Sequence, residues 1–256
     1  MHRARKRFGQ HFLHDRNIIE RILQSVDPQP GDRLIEIGPG QGALTWPLLQ
    51  RCGQLTAIEL DRDLIPVLQQ KSVPYGKLQL INADILEFDL ASLGGKEMIR
   101  LVGNLPYNIS TPLMFHVLDS IAQISDMHFM VQKEVAQRIV AEPGNGHYGR
   151  LSIMLQYQCE CQYLFDVPPG SFTPPPKVDS AVIRLLPRAE PEHDIGDYAN
   201  FSAIVQSAFG QRRKTLSNSL KNMFSREEII ACDVDPGLRA ENLSLGDFAK
   251  LSRACI

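Results

Sequence analysis

Between Leu34 and Gln132 the chain alternates short apolar runs with amphipathic stretches, and this alternation constrains the fold more than any other feature. The runs "RLIEIG", "LTAIEL", "LQLINAD", "IRLVGN" and "MHFMVQ" are interleaved with "ALTWPLLQR", "RDLIPVLQQK", "TPLMFHVLDSI" and "KEVAQRIV". A continuous apolar run bounded by polar residues reads as a strand buried on both faces. Strands separated by helices of about ten residues form parallel pairs with right-handed crossovers. The expected architecture is therefore α/β. Before this block, "DRNIIERILQSVD" puts Ile18, Ile19, Ile22, Leu23 and Val26 on one helical face, with Asp15 as N-cap. After it, "CQYLFDVPPGSFTPPPKVDSAVIRLLP" holds two strand-like pieces joined by a proline-rich loop, which predicts a hairpin at a sheet edge.

Beyond "PRAEPEHDIGDY", a polar, proline-containing linker, the patterns "FSAIVQSAFGQ", "TLSNSLKNMF", "REEIIAC" and "LGDFAKLSRA" are helical and no strand follows. The expected division is a main domain over 1–188 and a small all-helical domain over 189–256. No apolar run approaches the roughly 20 residues of a membrane-spanning helix. The basic start "MHRARKRFGQHFLHD" lacks the apolar region of a secretory signal, so a cytoplasmic protein without a membrane partner is expected. Five cysteines without a CxxC pair read as reduced thiols. His11 and His14 lack neighbouring ligands and Cys159 and Cys161 alternate as on a strand, so no metal is expected.

Charge is segregated. Residues 3–7 ("RARKR") and the run Arg212, Arg213, Lys214 hold seven of the 27 Lys and Arg, leaving 20 against 29 acidic residues elsewhere. Two basic clusters on an otherwise acidic chain suggest a polyanion met at particular places.

"LIEIGPGQGALT" is a strand, a glycine-rich turn and a helix start. Gly38 and Gly40 permit a tight turn and close backbone approach to a ligand. Gly38-x-Gly40-x-x-Ala43 fits a dinucleotide turn, and Gly38-x-Gly40-x-Gly42 fits the turn of S-adenosylmethionine enzymes. Glu59 ends the next strand, where an acid accepts from ribose hydroxyls. Asp84, closing "INAD", adds a second acid suited to an adenine amino group. Two acids at successive strand ends favour an adenosine held without a pyrophosphate clamp.

The strand "MIRLVG" ends in Asn104-Leu105-Pro106-Tyr107. Pro106 has no N–H and turns Leu105 away from helical geometry, so an amide, a carbonyl and an aromatic ring are presented together. The Asn104 side-chain oxygen and the Leu105 carbonyl suit the two hydrogens of an adenine N6 amine, and Tyr107 suits stacking on a flipped base.

"EIGPGQGALT", "NLPYNISTPL" and "FTPPPKVDSAV", in that order, closely resemble the ribosomal RNA adenine-N6,N6-dimethyltransferases, and more narrowly their small-subunit branch, the kasugamycin-sensitivity methyltransferase family. "RKRFGQHFL" and "QRRKTLSNSL" extend the resemblance over nearly the whole chain. It implies a Rossmann-like, seven-stranded class I methyltransferase sheet with a small C-terminal helical domain. It implies S-adenosylmethionine as methyl donor, with His11, Leu13, Gly38, Glu59, Asp84 and Asn104 at cofactor positions; His11 stands where many members carry Asn. It also implies that Phe172 helps Tyr107 sandwich the target base, and that prolines 174–176 stiffen that loop. The expected partner is small-subunit ribosomal RNA within a 30S-like particle, engaged by a monomer with no DNA partner. Two other readings stay open: a large-subunit methyltransferase of the macrolide-resistance type, and an RNA-binding ribosome assembly factor. An NAD-linked oxidoreductase leaves "NLPY" without a role.

Overall fold

The computed structural model describes residues 10–93, 95, 97–211 and 213–254. The basic run 3–7 and Arg212 lie outside the described residues. The chain forms two compact units: residues up to Ala136 with Cys161–Pro187, and Gln137–Glu160 with the stretch from Arg188 onward.

The first unit opens with a two-residue strand, β1 (Phe12–Leu13), and helix α1 (Arg16–Val26). Asp15 caps α1 as its sequence predicts: Oδ1 accepts from the Asn17 and Ile18 amides at 2.9 and 3.3 Å, an arrangement that contributes about 1 kcal/mol. Then come β2 (Leu34–Ile37), α2 (Thr45–Cys52), β3 (Gln54–Glu59), α3 (Ile65–Ser72), β4 (Lys77–Asn82), β5 (Ile99–Asn104), α4 (Ser110–Leu118), β6 (Ile124–Gln132) and α5 (Lys133–Ile139). Past α6 (Arg150–Gln158) lie β7 (Cys159–Val167), the short β8 (Phe172–Thr173) and β9 (Ser180–Pro187).

Seven strands form one sheet in the order β4-β3-β2-β5-β6-β9-β7. The strands β4, β3, β2, β5 and β6 are parallel, and β9 joins β6 antiparallel. The expected edge pair is present: β9 and β7 are neighbours, with β7 outermost. From β2 the chain moves outward through β3 and β4, then returns to place β5 on the other side of β2. Strand order reverses there, and a crevice opens beyond the carboxyl ends of β2 and β5.

Apolar side chains of α1 and α2 bury the sheet face beneath them. Ile18, Ile22, Leu23 and Val26 pack with Leu48, Leu49, Val102 and Val182 in one cluster, and Ile19 lies partly buried against it. The small β1 pairs antiparallel with β8, matching Leu13 with Phe172, and the His14 amide donates to the Ser171 carbonyl at 3.0 Å. The segment before α1 is thereby stitched to the proline-rich loop.

The second unit is helical: α6 with α7 (Tyr198–Phe209), α8 (Leu216–Ser219), α9 (Arg226–Ala231) and α10 (Leu245–Arg253). Its core is aromatic. Phe201 meets Tyr157 at 5.2 Å between ring centroids, and Phe209 stacks on Phe248 at 5.9 Å. Residues 137–160 belong to this unit, beyond the segment from 189 onward that the sequence marks as helical. The cause is α6, whose residues Leu151 to Leu155 are all buried. No helix among the described residues is long and apolar enough to cross a membrane.

Candidate active site

One cleft, of about 1100 Å³ including its open mouth, lies at the carboxyl ends of β2, β3, β4 and β5. His11, Leu13, Gly38, Gly40, Glu59, Asp84, Asn104, Leu105, Pro106 and Tyr107 all line it.

The glycine turn follows from its backbone. Gly38, Gly40 and Gly42 have φ of +67°, +56° and +90°, a region that side chains bearing a Cβ occupy only under strain. A Cβ on Gly42 would lie 2.3 Å from the Trp46 ring, whereas one on Gly38 would meet nothing within 4 Å. Gly42 is thus required by packing, and Gly38 faces open space that a ligand's backbone-close approach would use. The turn is held from below by Glu59: its Oε2 accepts from the Gly40 amide at 3.1 Å and its Oε1 from the Asp61 amide at 2.8 Å. Burial raises the Glu59 carboxyl above its ordinary range, against the lowering effect of these two amides. A carboxylate has about four lone-pair positions, more than the neighbouring backbone amides use. Asp84 uses Oδ1 to accept from the Leu86 amide at 2.9 Å, which fixes the side chain at the cleft wall. Paired acids, an open glycine cradle and an apolar floor suit an adenosine moiety.

Glu36 joins this group, although the chain's sequence pattern does not single it out. It sits in β2 with 2 % of its surface exposed and lines the cleft. The Thr45 hydroxyl donates to its Oε2 at 2.6 Å. Burial pushes its carboxyl up to about 8; the Thr45 bond opposes this and the charge of Glu59 adds to it. An acid inside the otherwise apolar run "LIEIG" was the available signal.

The end of β5 carries the second half of the site. The Asn104 Nδ2 donates to the His11 carbonyl at 3.0 Å. A carbonyl only accepts, so the amide nitrogen must face it and Oδ1 must face away. The Leu105 amide donates to the Met130 carbonyl at 3.0 Å, and among the described residues its own carbonyl receives no hydrogen bond. The Ile109 amide and the Ser110 hydroxyl both donate to the Pro106 carbonyl at 3.1 Å, closing the turn into α4. Tyr107 is held by its hydroxyl, 2.6 Å from the Ser180 Oγ at the start of β9. Burial keeps that phenol above its usual range, so it stays neutral.

The resemblance puts Phe172 beside the target base with Tyr107. Phe172 is absent from the cleft wall: it is 2 % exposed and packs in the apolar cluster with Leu13, Val167 and Val182. Alternation along β8 turns Phe172 inward and leaves Thr173 exposed. The ring nearest Tyr107 is that of His11, with centroids 5.5 Å apart at an interplanar angle of 29°. The His11 Nδ1 lies 2.7 Å from the Pro174 carbonyl.

The chain matches the family model described as Ribosomal RNA adenine dimethylase over residues 1–255. It is 56% identical over 252 residues to the "Ribosomal RNA small subunit methyltransferase A" of Pseudomonas aeruginosa, covering 98% of this chain and 94% of that protein. To the protein of the same name from Xanthomonas euvesicatoria it is 54% identical, covering 97% and 95%. Among solved structures, a dimethyladenosine transferase from Plasmodium falciparum superposes with a TM-score of 0.81 at 25% identity, covering 94% of this chain and 96% of that one. The 23S rRNA methyltransferase ErmE superposes with a TM-score of 0.74 at 28% identity, covering 95% and 98%. By its glycine cradle, its paired acids, its Asn-Leu-Pro-Tyr corner and this full-length match, the chain belongs to the ribosomal RNA adenine dimethylase family.

Proposed function

We propose that this enzyme transfers methyl groups to N6 of adenosines in small-subunit ribosomal RNA, giving N6,N6-dimethyladenosine, and that it acts on a structured small-subunit particle. S-adenosylmethionine, when bound, supplies an electrophilic methyl group on a positively charged sulfur. The chain's own task is to hold both partners. The Gly38 turn, Glu59 and Asp84 hold the adenosine part of the donor. The adenine N6 is a poor nucleophile because its lone pair is delocalised into the ring. Accepting its two hydrogens at Asn104 Oδ1 and the Leu105 carbonyl localises that pair and aims it. Positioning and fixed dipoles then carry most of the rate enhancement. The observation that bears most weight is the Asn104–His11 hydrogen bond, because it decides which amide atom is offered to the base.

A monomer working in the cytoplasm, where ribosomes assemble, is part of this reading. Relatives sharing more than half their residues with this chain, those of Pseudomonas aeruginosa and Xanthomonas euvesicatoria among them, bear small-subunit names, whereas ErmE, at 28% identity, bears a 23S rRNA name. The deciding experiment supplies labelled S-adenosylmethionine with unmodified small subunits, large subunits or protein-free RNA, then digests to nucleosides. Label in small-subunit N6,N6-dimethyladenosine is expected. Label confined to large-subunit RNA would establish the resistance-type activity, and tight particle binding without label would establish an assembly factor.

A further inference from the structure

The resemblance puts His11 at a cofactor position, and its side chain is also tied to the other half of the cleft. Three elements converge on this residue. Its carbonyl takes the Asn104 amide, its Nδ1 carries the hydrogen that the Pro174 carbonyl accepts, and its ring stacks on Tyr107. The segment is itself anchored, since β1 begins at the next residue and pairs with β8.

The spacing of the two rings excludes one arrangement. A base inserted between His11 and Tyr107 needs centroids roughly 7 Å apart, twice the separation of two stacked rings. They stand at 5.5 Å and 29°. A base therefore does not fit between the two rings as they stand, which leaves it the face of Tyr107 turned away from His11. Tyr107 is immobilised at its hydroxyl by Ser180, at its backbone by the Pro106 turn and at one ring face by His11.

We infer that the His11 imidazole is a positioning residue for the methyl acceptor: it backs Tyr107, so that the target adenine completes a three-ring stack His11–Tyr107–base in register with Asn104. The Pro174 carbonyl orients the imidazole for this task, and the backbone of His11 alone serves Asn104. One residue thus aligns both the hydrogen-bond acceptor and the stacking platform. This inference rests on the adenine-methylation reading above.

The test uses the full chain and unmodified small subunits, with His11→Ala, His11→Phe and His11→Asn beside the wild type. Calorimetry gives S-adenosylmethionine affinity, and turnover at saturating donor gives kcat and the KM for particles. His11→Ala keeps the backbone carbonyl, so donor affinity should stay within about twofold while kcat falls on the order of tenfold or more as the base loses alignment. His11→Phe restores the ring without the hydrogen bond and should recover most of that loss. His11→Asn keeps a donor for Pro174 without the ring and should not. If Asn rescues and Phe does not, the link to the proline loop carries the role and the stacking inference is wrong. A His11→Ala variant with weakened donor binding and unchanged kcat would return the ring to the cofactor site. Faster turnover in His11→Ala would mean that the ring occupies the place of the base. Absence of methyl transfer by the wild type would instead defeat the functional reading, which separates the two failures.

Discussion

The Asn104 side-chain amide donates to the His11 carbonyl across 3.0 Å, linking the end of β5 to the segment that enters β1, 93 residues earlier in the chain. This one bond turns an ambiguous amide into an oriented acceptor. It also explains why the segment before α1 belongs to the site although it contributes nothing to the main sheet.

Glu59→Ala should weaken S-adenosylmethionine binding by about 1.5–3 kcal/mol, the scale of losing hydrogen bonds to a charged acceptor. The Gly40 and Asp61 amides lose their acceptor in the same variant, so a modest drop in thermal stability should accompany the effect. Calorimetry on the folded variant decides the point. Unchanged affinity would remove Glu59 from the donor site.

The glycines of the turn should separate by mechanism. Gly38→Ala meets no neighbour, so its cost to stability should be the left-handed backbone penalty alone, about 1–2 kcal/mol. Gly42→Ala adds a collision with the Trp46 ring and should be the more destabilising of the two. Urea unfolding of both variants tests the order, and equal midpoints would contradict it.

Glu36 predicts a pH dependence. Its carboxyl sits at about 8 in the folded chain against an ordinary 4.5, so the folded state holds a proton that the unfolded chain releases between those values. The stability this contributes is complete below the unfolded value and declines as pH rises toward the folded one. Glu36→Gln, permanently neutral and still able to accept from Thr45, should remove that decline. Unfolding midpoints compared from about pH 5 to about pH 8 should show the variant gaining on the wild type as pH rises. Parallel curves would mean that Glu36 is ionised in the fold.

Much of this architecture is legible in the chain because its signals are local. The five parallel strands are continuous apolar runs, and Asp15, Gly38, Glu59 and Asn104 each sit at a run's end, where a change of residue type is conspicuous. What escapes is set by tertiary packing. Helix α6 shows no polar face because Leu151 to Leu155 are all buried, so periodicity cannot report it. The pattern "TLSNSLKNMF" yields only Leu216–Ser219 as α-helix, its first amides donating to the Leu238 and Pro236 carbonyls. The burial of Phe172 is not legible because the β1–β8 pairing, between two strands of two residues each, leaves no periodic trace. The ring of His11 and the burial of Glu36 are visible only once the chain is folded.

Arg213 and Lys214 are exposed in the helical unit. Reversing both to Glu should weaken binding to small-subunit particles and lower the slope of log affinity against log salt by about 0.7–0.9 for each phosphate that the variant no longer neutralises. Donor affinity should be unaffected. Particle affinity unchanged at physiological salt would make these residues ordinary surface.

The most direct test of the account is the single-turnover rate of methyl transfer by Asn104→Ala on unmodified small subunits at saturating donor and enzyme. If the Asn104 oxygen localises the adenine lone pair, the rate should fall on the order of a hundredfold or more, the scale of removing one preorganised group at the reacting centre. Particle binding, measured in the same samples, should persist. A rate near that of the wild type, with N6,N6-dimethyladenosine still formed, would contradict the assignment of the Asn-Leu-Pro-Tyr corner as the place where the adenine is held.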